Sequence, residues 1–148
     1  MILWNGYDSR VISREVRMNK NHQFPAILLI ERDEVTLEIY QRELIKSFNV
    51  YASTEINKAL EVLATQDIVA VVIEPETSSG RGWELIDMMH KDSSTQLIPV
   101  IISSTRDPSS ETSSRGITKY LIKPVLPKTL REKVLEVLRT AKIQPKTS

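Results

Sequence analysis

A small set of side chains in this sequence could handle a phosphoryl group, and each stands at the end of an apolar run. Glu31, Arg32 and Asp33 follow Ala26-Ile-Leu-Leu-Ile30, and Glu74 follows Ile68-Val-Ala-Val-Val-Ile73. Ser103 and Ser104 follow Ile98-Pro-Val-Ile-Ile102, and Lys123 follows Lys119-Tyr-Leu-Ile122. A carboxylate can act as nucleophile or hold a hard cation, while a hydroxyl and an ammonium can donate to phosphate oxygens. Strand ends are polar by default, so no one of these residues means much alone. Their shared position, after a strand, is the signal.

The elements that must position them alternate regularly. Ala26 to Ile30 reads as a buried strand, and Asp33 can cap a helix reaching about Ser47, with Val35, Ile39, Leu44 and Phe48 on its inner side. Asn49-Val-Tyr-Ala52 is a short second strand. A helix from Thr54 to about Gln66 puts Ile56, Ala59, Leu60 and Leu63 on one face. Ile68 to Ile73 is apolar throughout, the habit of a central parallel strand buried on both sides. Gly82 opens a helix to about Lys91, Ile98 to Ile102 is the fourth strand, and Lys119 to Ile122 the fifth. A last helix runs from about Pro127 to Thr140, carrying Leu130, Val134, Val137 and Leu138.

One helix is missing from this rhythm. Residues 103–116, Ser-Ser-Thr-Arg-Asp-Pro-Ser-Ser-Glu-Thr-Ser-Ser-Arg-Gly, have no apolar stripe and favour turns, leaving room for one or two helical turns. Strand and helix in alternation imply an α/β fold with a parallel sheet and right-handed crossovers. In such sheets the functional crevice lies beyond the carboxyl ends of the central strands, where the residues above converge.

The rest of the chain bounds the function. With no cysteine, disulfides, thiolate zinc sites and thiol nucleophiles are excluded, and a reducing cytoplasmic setting is expected. A net charge of +1 points to neither nucleic acid nor an anionic membrane, and no apolar run is long enough to span a bilayer. His22 and His90 stand alone, without metal-ligand spacing, and Gly80-Arg-Gly82 lacks the third glycine of a dinucleotide loop. Trp83 reads equally as a core aromatic or a partner contact. Residues 1–24 form an N-terminal extension whose Val11, Ile12 and Val16 could line a helical stripe; it reads as an extension, or as an arm that docks on a partner or a second copy. Residues 25–141 form the domain, and 142–148 a tail.

The constellation resembles the response-regulator receiver domain of two-component signalling. Leu29-Ile-Glu-Arg-Asp-Glu34 is similar to the acidic end of that family's first strand, usually Val-Asp-Asp-Asp-Pro. Glu74 falls at the acceptor aspartate, with Gly82-Trp-Glu-Leu85 at the start of the third helix. Ile98 to Ser104 resembles the fourth strand and places Ser104 at the switch hydroxyl. Gly116-Ile-Thr-Lys-Tyr-Leu-Ile-Lys-Pro124 is close to Gly-Ala-Asp-Asp-Tyr-Leu-Thr-Lys-Pro, with Tyr120 at the switch aromatic and Lys123 at the pocket lysine. The resemblance spans about residues 26–140. It implies a flavodoxin-like, doubly wound five-stranded sheet of order 2-1-3-4-5, with a shortened or lost helix four.

The departures all weaken one activity. Glu74 replaces aspartate, and one extra methylene displaces the carboxylate by about 1 Å, worth on the order of a hundredfold in a positioned reaction. The acidic pair falls on Glu31 and Arg32, so a guanidinium stands where a magnesium ligand would be, and Asp33 belongs to the helix start. Pro75 removes a backbone N–H next to the acceptor position. Counting Glu31, Glu74, Arg32 and Lys123, the pocket carries no net charge, and Arg32 and Lys123 are expected to bridge Glu74 in a permanent salt-bridge cluster. The resemblance with these changes implies a degenerate receiver: no enzyme, no cofactor, no magnesium, and signalling by protein–protein contact. Its implied partner is a signalling protein such as a histidine kinase or a downstream effector, with a homodimer also allowed. A receiver that still accepts phosphate at Glu74 and a flavodoxin-like binder of a small cofactor are the competing readings.

Overall fold

The computed structural model describes residues 24–76, 80–109 and 115–141. The N-terminal stripe of Val11, Ile12 and Val16 and the tail at 142–148 lie outside these residues. Five strands, β1 (Ala26–Ile30), β2 (Asn49–Ser53), β3 (Ile68–Ile73), β4 (Val100–Ser104) and β5 (Lys119–Ile122), form one parallel sheet. Its order is β2-β1-β3-β4-β5, the doubly wound order expected from the sequence. The helices are α1 (Glu34–Leu44), α2 (Ile56–Thr65), α3 (Gly82–Lys91) and α4 (Pro127–Thr140). Among the described residues between β4 and β5 there is no helix.

Each face of the sheet buries its own core, because alternate residues of a strand point to opposite sides. Ile27, Leu29, Val72 and Ile101 pack with Tyr40 and Leu44 of α1 and Leu130, Val134 and Val137 of α4. Leu28, Ile30, Val71, Ile73 and Ile102 pack with Ile56 and Ala59 of α2 and Leu85, Ile86 and Met89 of α3. The central strands β1, β3 and β4 are nearly inaccessible, which is what their unbroken apolar runs require.

The inner face of α1 differs from the sequence reading. Val35 and Ile39 are exposed, 64% and 45%, whereas Tyr40 and Leu44 are buried and Leu37 packs against the same core. The helix carries apolar residues on two sides, and Tyr40 is drawn inward because its hydroxyl donates to the Val125 carbonyl at 3.0 Å. The helix also ends at Leu44 rather than Ser47, β2 extends to Ser53, and β4 is shifted to Val100–Ser104. Asp33 does cap α1, accepting from the Thr36 amide at 2.8 Å and the Thr36 hydroxyl at 2.6 Å.

Gly82 fixes how β3 hands over to α3. A Cβ built there would run into the Pro75 carbonyl oxygen and lie 2.5 Å from its Cα, so only hydrogen allows the helix start to pack on the strand end. Gly82→Ala should therefore destabilise the domain by about 1–3 kcal/mol, the usual cost of overpacking a site bounded by backbone. A urea melt checks this, with an unchanged midpoint counting against the close approach.

Candidate functional site

Register brings the charged strand ends together. Ile30 of β1 pairs with Ile73 of β3, so Glu31 and Glu74, the next residues, stand side by side. Ile73 pairs with Ile102 of β4, and Ser103 of β4 pairs with Leu121 of β5. Alternation then puts Glu31, Glu74, Ser103 and Lys123 on the α1/α4 side and Ser104 on the other. Two clusters result.

In the first, Lys123 Nζ donates to Glu31 Oε1 and Oε2, both at 2.8 Å, and to Glu74 Oε1 at 3.0 Å. The two glutamate side chains are only 2% and 3% exposed and the lysine 14%. Two carboxylates in so little water do not both ionise against one ammonium. Burial, together with the adjoining Glu74, pushes Glu31 up to about 8. Burial also opposes ionisation of Glu74, yet hydrogen bonds with Glu31 and Lys123 outweigh it and hold Glu74 below the usual carboxylate range. For Lys123, burial works against the charge, but hydrogen bonds to Glu31 and Glu74 raise it above the ordinary lysine value. At neutral pH the cluster is one carboxylic acid, one carboxylate and one ammonium.

Arg32 stands apart from it. No hydrogen bond or ion pair joins Arg32 to Glu74, and its residue is exposed, so the expected bidentate bridge is replaced by the contact of Lys123 with Glu31. The physical reason is alternation: Arg32 is one residue past Glu31 and cannot share its direction. Its charge still acts through space on Glu74 and on Asp33, favouring the ionised form of each. Asp33, held below the usual range by Thr36, serves the helix start. Among the described residues Ser103 Oγ is buried without a hydrogen-bond partner; it lies beside the Tyr40 hydroxyl, which burial pushes up.

The second cluster is built on Glu76, which sequence reasoning passed over. Ser104 Oγ donates to Glu76 Oε1 at 2.7 Å, and Trp83 Nε1 donates to Glu76 Oε2 at 3.3 Å. The Arg106 amide donates to Ser104 Oγ at 3.0 Å, so the hydroxyl is held from both sides. Tyr120 donates to the Arg106 carbonyl at 2.7 Å. Arg115 lies 5.1 Å from the centre of the Trp83 ring and pairs with Asp87 at 3.2 Å. The signal for Glu76 was available: an indole two residues into a helix needs an acceptor, and Glu76 is the carboxylate the preceding turn supplies.

A metal is poorly served by these groups. Glu31 and Glu74 share the Lys123 ammonium between them, Arg32 adds positive charge at the rim, and a divalent ion needs hard oxygens free to turn toward it. Among the described residues, no group of three or more His, Cys, Asp or Glu is placed to hold a metal ion. Likewise, no helix among them is long and apolar enough to cross a membrane.

No family model and no curated protein matches the chain. Solved structures do. A CheY-like response regulator receiver domain from Methanospirillum hungatei JF-1 superposes with a TM-score of 0.71 at 22% identity, covering 80% of this chain and 97% of the other. A chemotaxis response regulator of Vibrio cholerae gives 0.72 at 18% identity, covering 78% and 99%. A sensor protein from Polaromonas sp. JS666 gives 0.72 at 20% identity, covering 79% and 98%. The fold is that of the CheY-like response-regulator receiver domain.

The shared proton sets the expected stabilities. Lys123→Met strands Glu31 and Glu74 without a cation and should cost about 3–5 kcal/mol. Glu74→Gln should cost only about 1 kcal/mol, because Glu31 then ionises and takes over the pairing. Urea melts of the two variants check this, and equal losses would contradict a shared proton. The pH dependence has a definite sign. Glu31 binds its proton more tightly folded than unfolded, so its contribution is full below its ordinary value of 4.5 and is lost as pH rises toward about 8. The slope is at most about 1.4 kcal/mol per pH unit. Glu74 acts oppositely, its contribution being lost as pH falls below the ordinary carboxylate value. Glu31→Gln should therefore flatten the decline of stability between pH 5 and 8, which denaturant melts across that range would reveal.

Proposed function

We propose that this protein is a receiver-type module of two-component signal transduction that works without phosphorylation, through contact with a signalling protein. The observation that carries this reading is that both groups expected to donate to the oxygens of a phosphoryl group are already taken. Lys123 is bound by Glu31 and Glu74, and the Ser104 hydroxyl by Glu76. A phosphoryl group would have to displace two buried glutamates from their lysine and a glutamate from the hydroxyl. It would also have to form on Glu74, which shares that lysine and is followed by Pro75 with no N–H to offer.

Glu76 then does for Ser104 what an acquired phosphate would otherwise do: it presents anionic oxygen at 2.7 Å. Through the Arg106 backbone, Ser104 is linked to Tyr120, so the hydroxyl and the aromatic are fixed together. The surface around Tyr120 is thereby held in one arrangement. A histidine kinase or a downstream effector is the class of partner proposed to read it. No magnesium and no cofactor enter this reading, and no reaction is assigned to the protein.

Incubation with acetyl phosphate and magnesium, followed by intact mass measurement, tests the reading. No added phosphoryl group is expected, at Glu74 or elsewhere in the pocket. A stoichiometric adduct on Glu74 would replace this reading with that of a working receiver.

A further inference from the structure

Beside β2, on the edge of the sheet, a groove of about 570 Å³ runs between the start of α1 and the start of α2. Val35, Leu37 and Ala52 supply its apolar surface, and Glu34, Glu38 and Glu55 its acidic rim, against one lysine, Lys58. Val35 is 64% exposed, and Ile39, one turn further along α1 and next to the groove rather than in its lining, is 45% exposed. An apolar pair at this spacing on a helix whose other side already packs on the core is surface that burial would favour covering. The surrounding net negative charge selects a basic occupant.

The chain carries such an occupant. Residues 1–24 hold Arg10, Arg14, Arg17 and Lys20 against Asp8 and Glu15, with Val11, Ile12 and Val16 among them. The reach is sufficient. The groove lies level with Ser53, which pairs with Ile30, so along β1 it is about 20 Å beyond Phe24 at the usual rise per residue. The stretch from Val16 to Phe24 spans up to about 26 Å when extended. Val16 therefore reaches the level of the groove, and Val11 and Ile12 have further length in hand.

We propose that residues 10–20 of the chain dock in the groove between α1 and α2, laying Val11, Ile12 and Val16 against Val35 and Ile39 while the arginines face Glu34, Glu38 and Glu55. A tethered segment needs little intrinsic affinity, because its local concentration is in the millimolar range for a short linker. The arm thus competes with any outside partner for that face of α1. This occupant is independent of whether the pocket accepts phosphate.

The absence of cysteine makes the test direct, since an engineered pair is the only thiol pair in the molecule. Ile12→Cys combined with Val35→Cys should oxidise to a monomeric cross-linked product about tenfold faster than Ile12→Cys combined with Met88→Cys, an exposed position on α3. Adding Glu38→Lys and Glu55→Lys, or raising the salt to about 1 M, should slow the first reaction toward the second. Equal rates for the two pairs would overturn the proposal. Cross-linking of the first pair only into dimers would overturn it as well, assigning the groove to a second copy. Val35 is 64% exposed, so its substitution removes little buried surface from the domain.

Discussion

Two glutamates stand side by side at the buried end of the sheet because the strands that carry them are neighbours in register, and one lysine must serve both. That requirement governs everything around them. Two bare carboxylates would be far too costly in so little water. The arrangement that remains, a retained proton on Glu31 and an ion pair between Glu74 and Lys123, ties β1, β3 and the end of β5 across three strands. Contacts from the flanking elements then follow. Tyr40 of α1 reaches the Val125 carbonyl just past the lysine, and α4 closes over the same face with Leu130 and Val134.

The two clusters lie on opposite faces of the sheet. On the α1/α4 side the lysine is neutralised; on the α2/α3 side the hydroxyl of Ser104 is held by Glu76. The division follows from the pleat of β4, whose consecutive serines face opposite ways. A carboxylate in the turn after β3 can therefore engage Ser104 without disturbing Glu74. The Ser104 hydroxyl and the Lys123 ammonium are thus each held by acidic partners of their own.

Where the sequence was readable, the boundaries had strong local punctuation. Gly82 and Pro127 begin α3 and α4, and the apolar run from Ile68 to Ile73 ends on a charge, so these elements were placed to the residue. α1 was harder because Val35, Ile39, Leu37, Tyr40 and Leu44 make two apolar sides, and periodicity alone does not choose between them. The choice came from long-range contacts: the tyrosine hydroxyl with a carbonyl 85 residues away, and the packing of α4. The same limit applied to the site. Glu31, Glu74 and Lys123 could be found as strand ends, but that Lys123 rather than Arg32 serves both glutamates needed the three-dimensional contacts, and Glu76 is marked only indirectly, as the carboxylate available to the Trp83 indole.

Vectorial synthesis gives the lysine's position a further meaning. Glu31 and Glu74 leave the ribosome well before Lys123, and β1, the strand in the middle of this half of the sheet, waits for β3 before both its edges are paired. A nascent chain that has folded as far as α3 would bring two acidic groups together with no cation between them, which opposes closure of the sheet around them. Lys123, which follows the fifth strand, supplies the cation that both glutamates share. A chain ending before residue 123 would carry the two glutamates without the cation that Lys123 supplies to both.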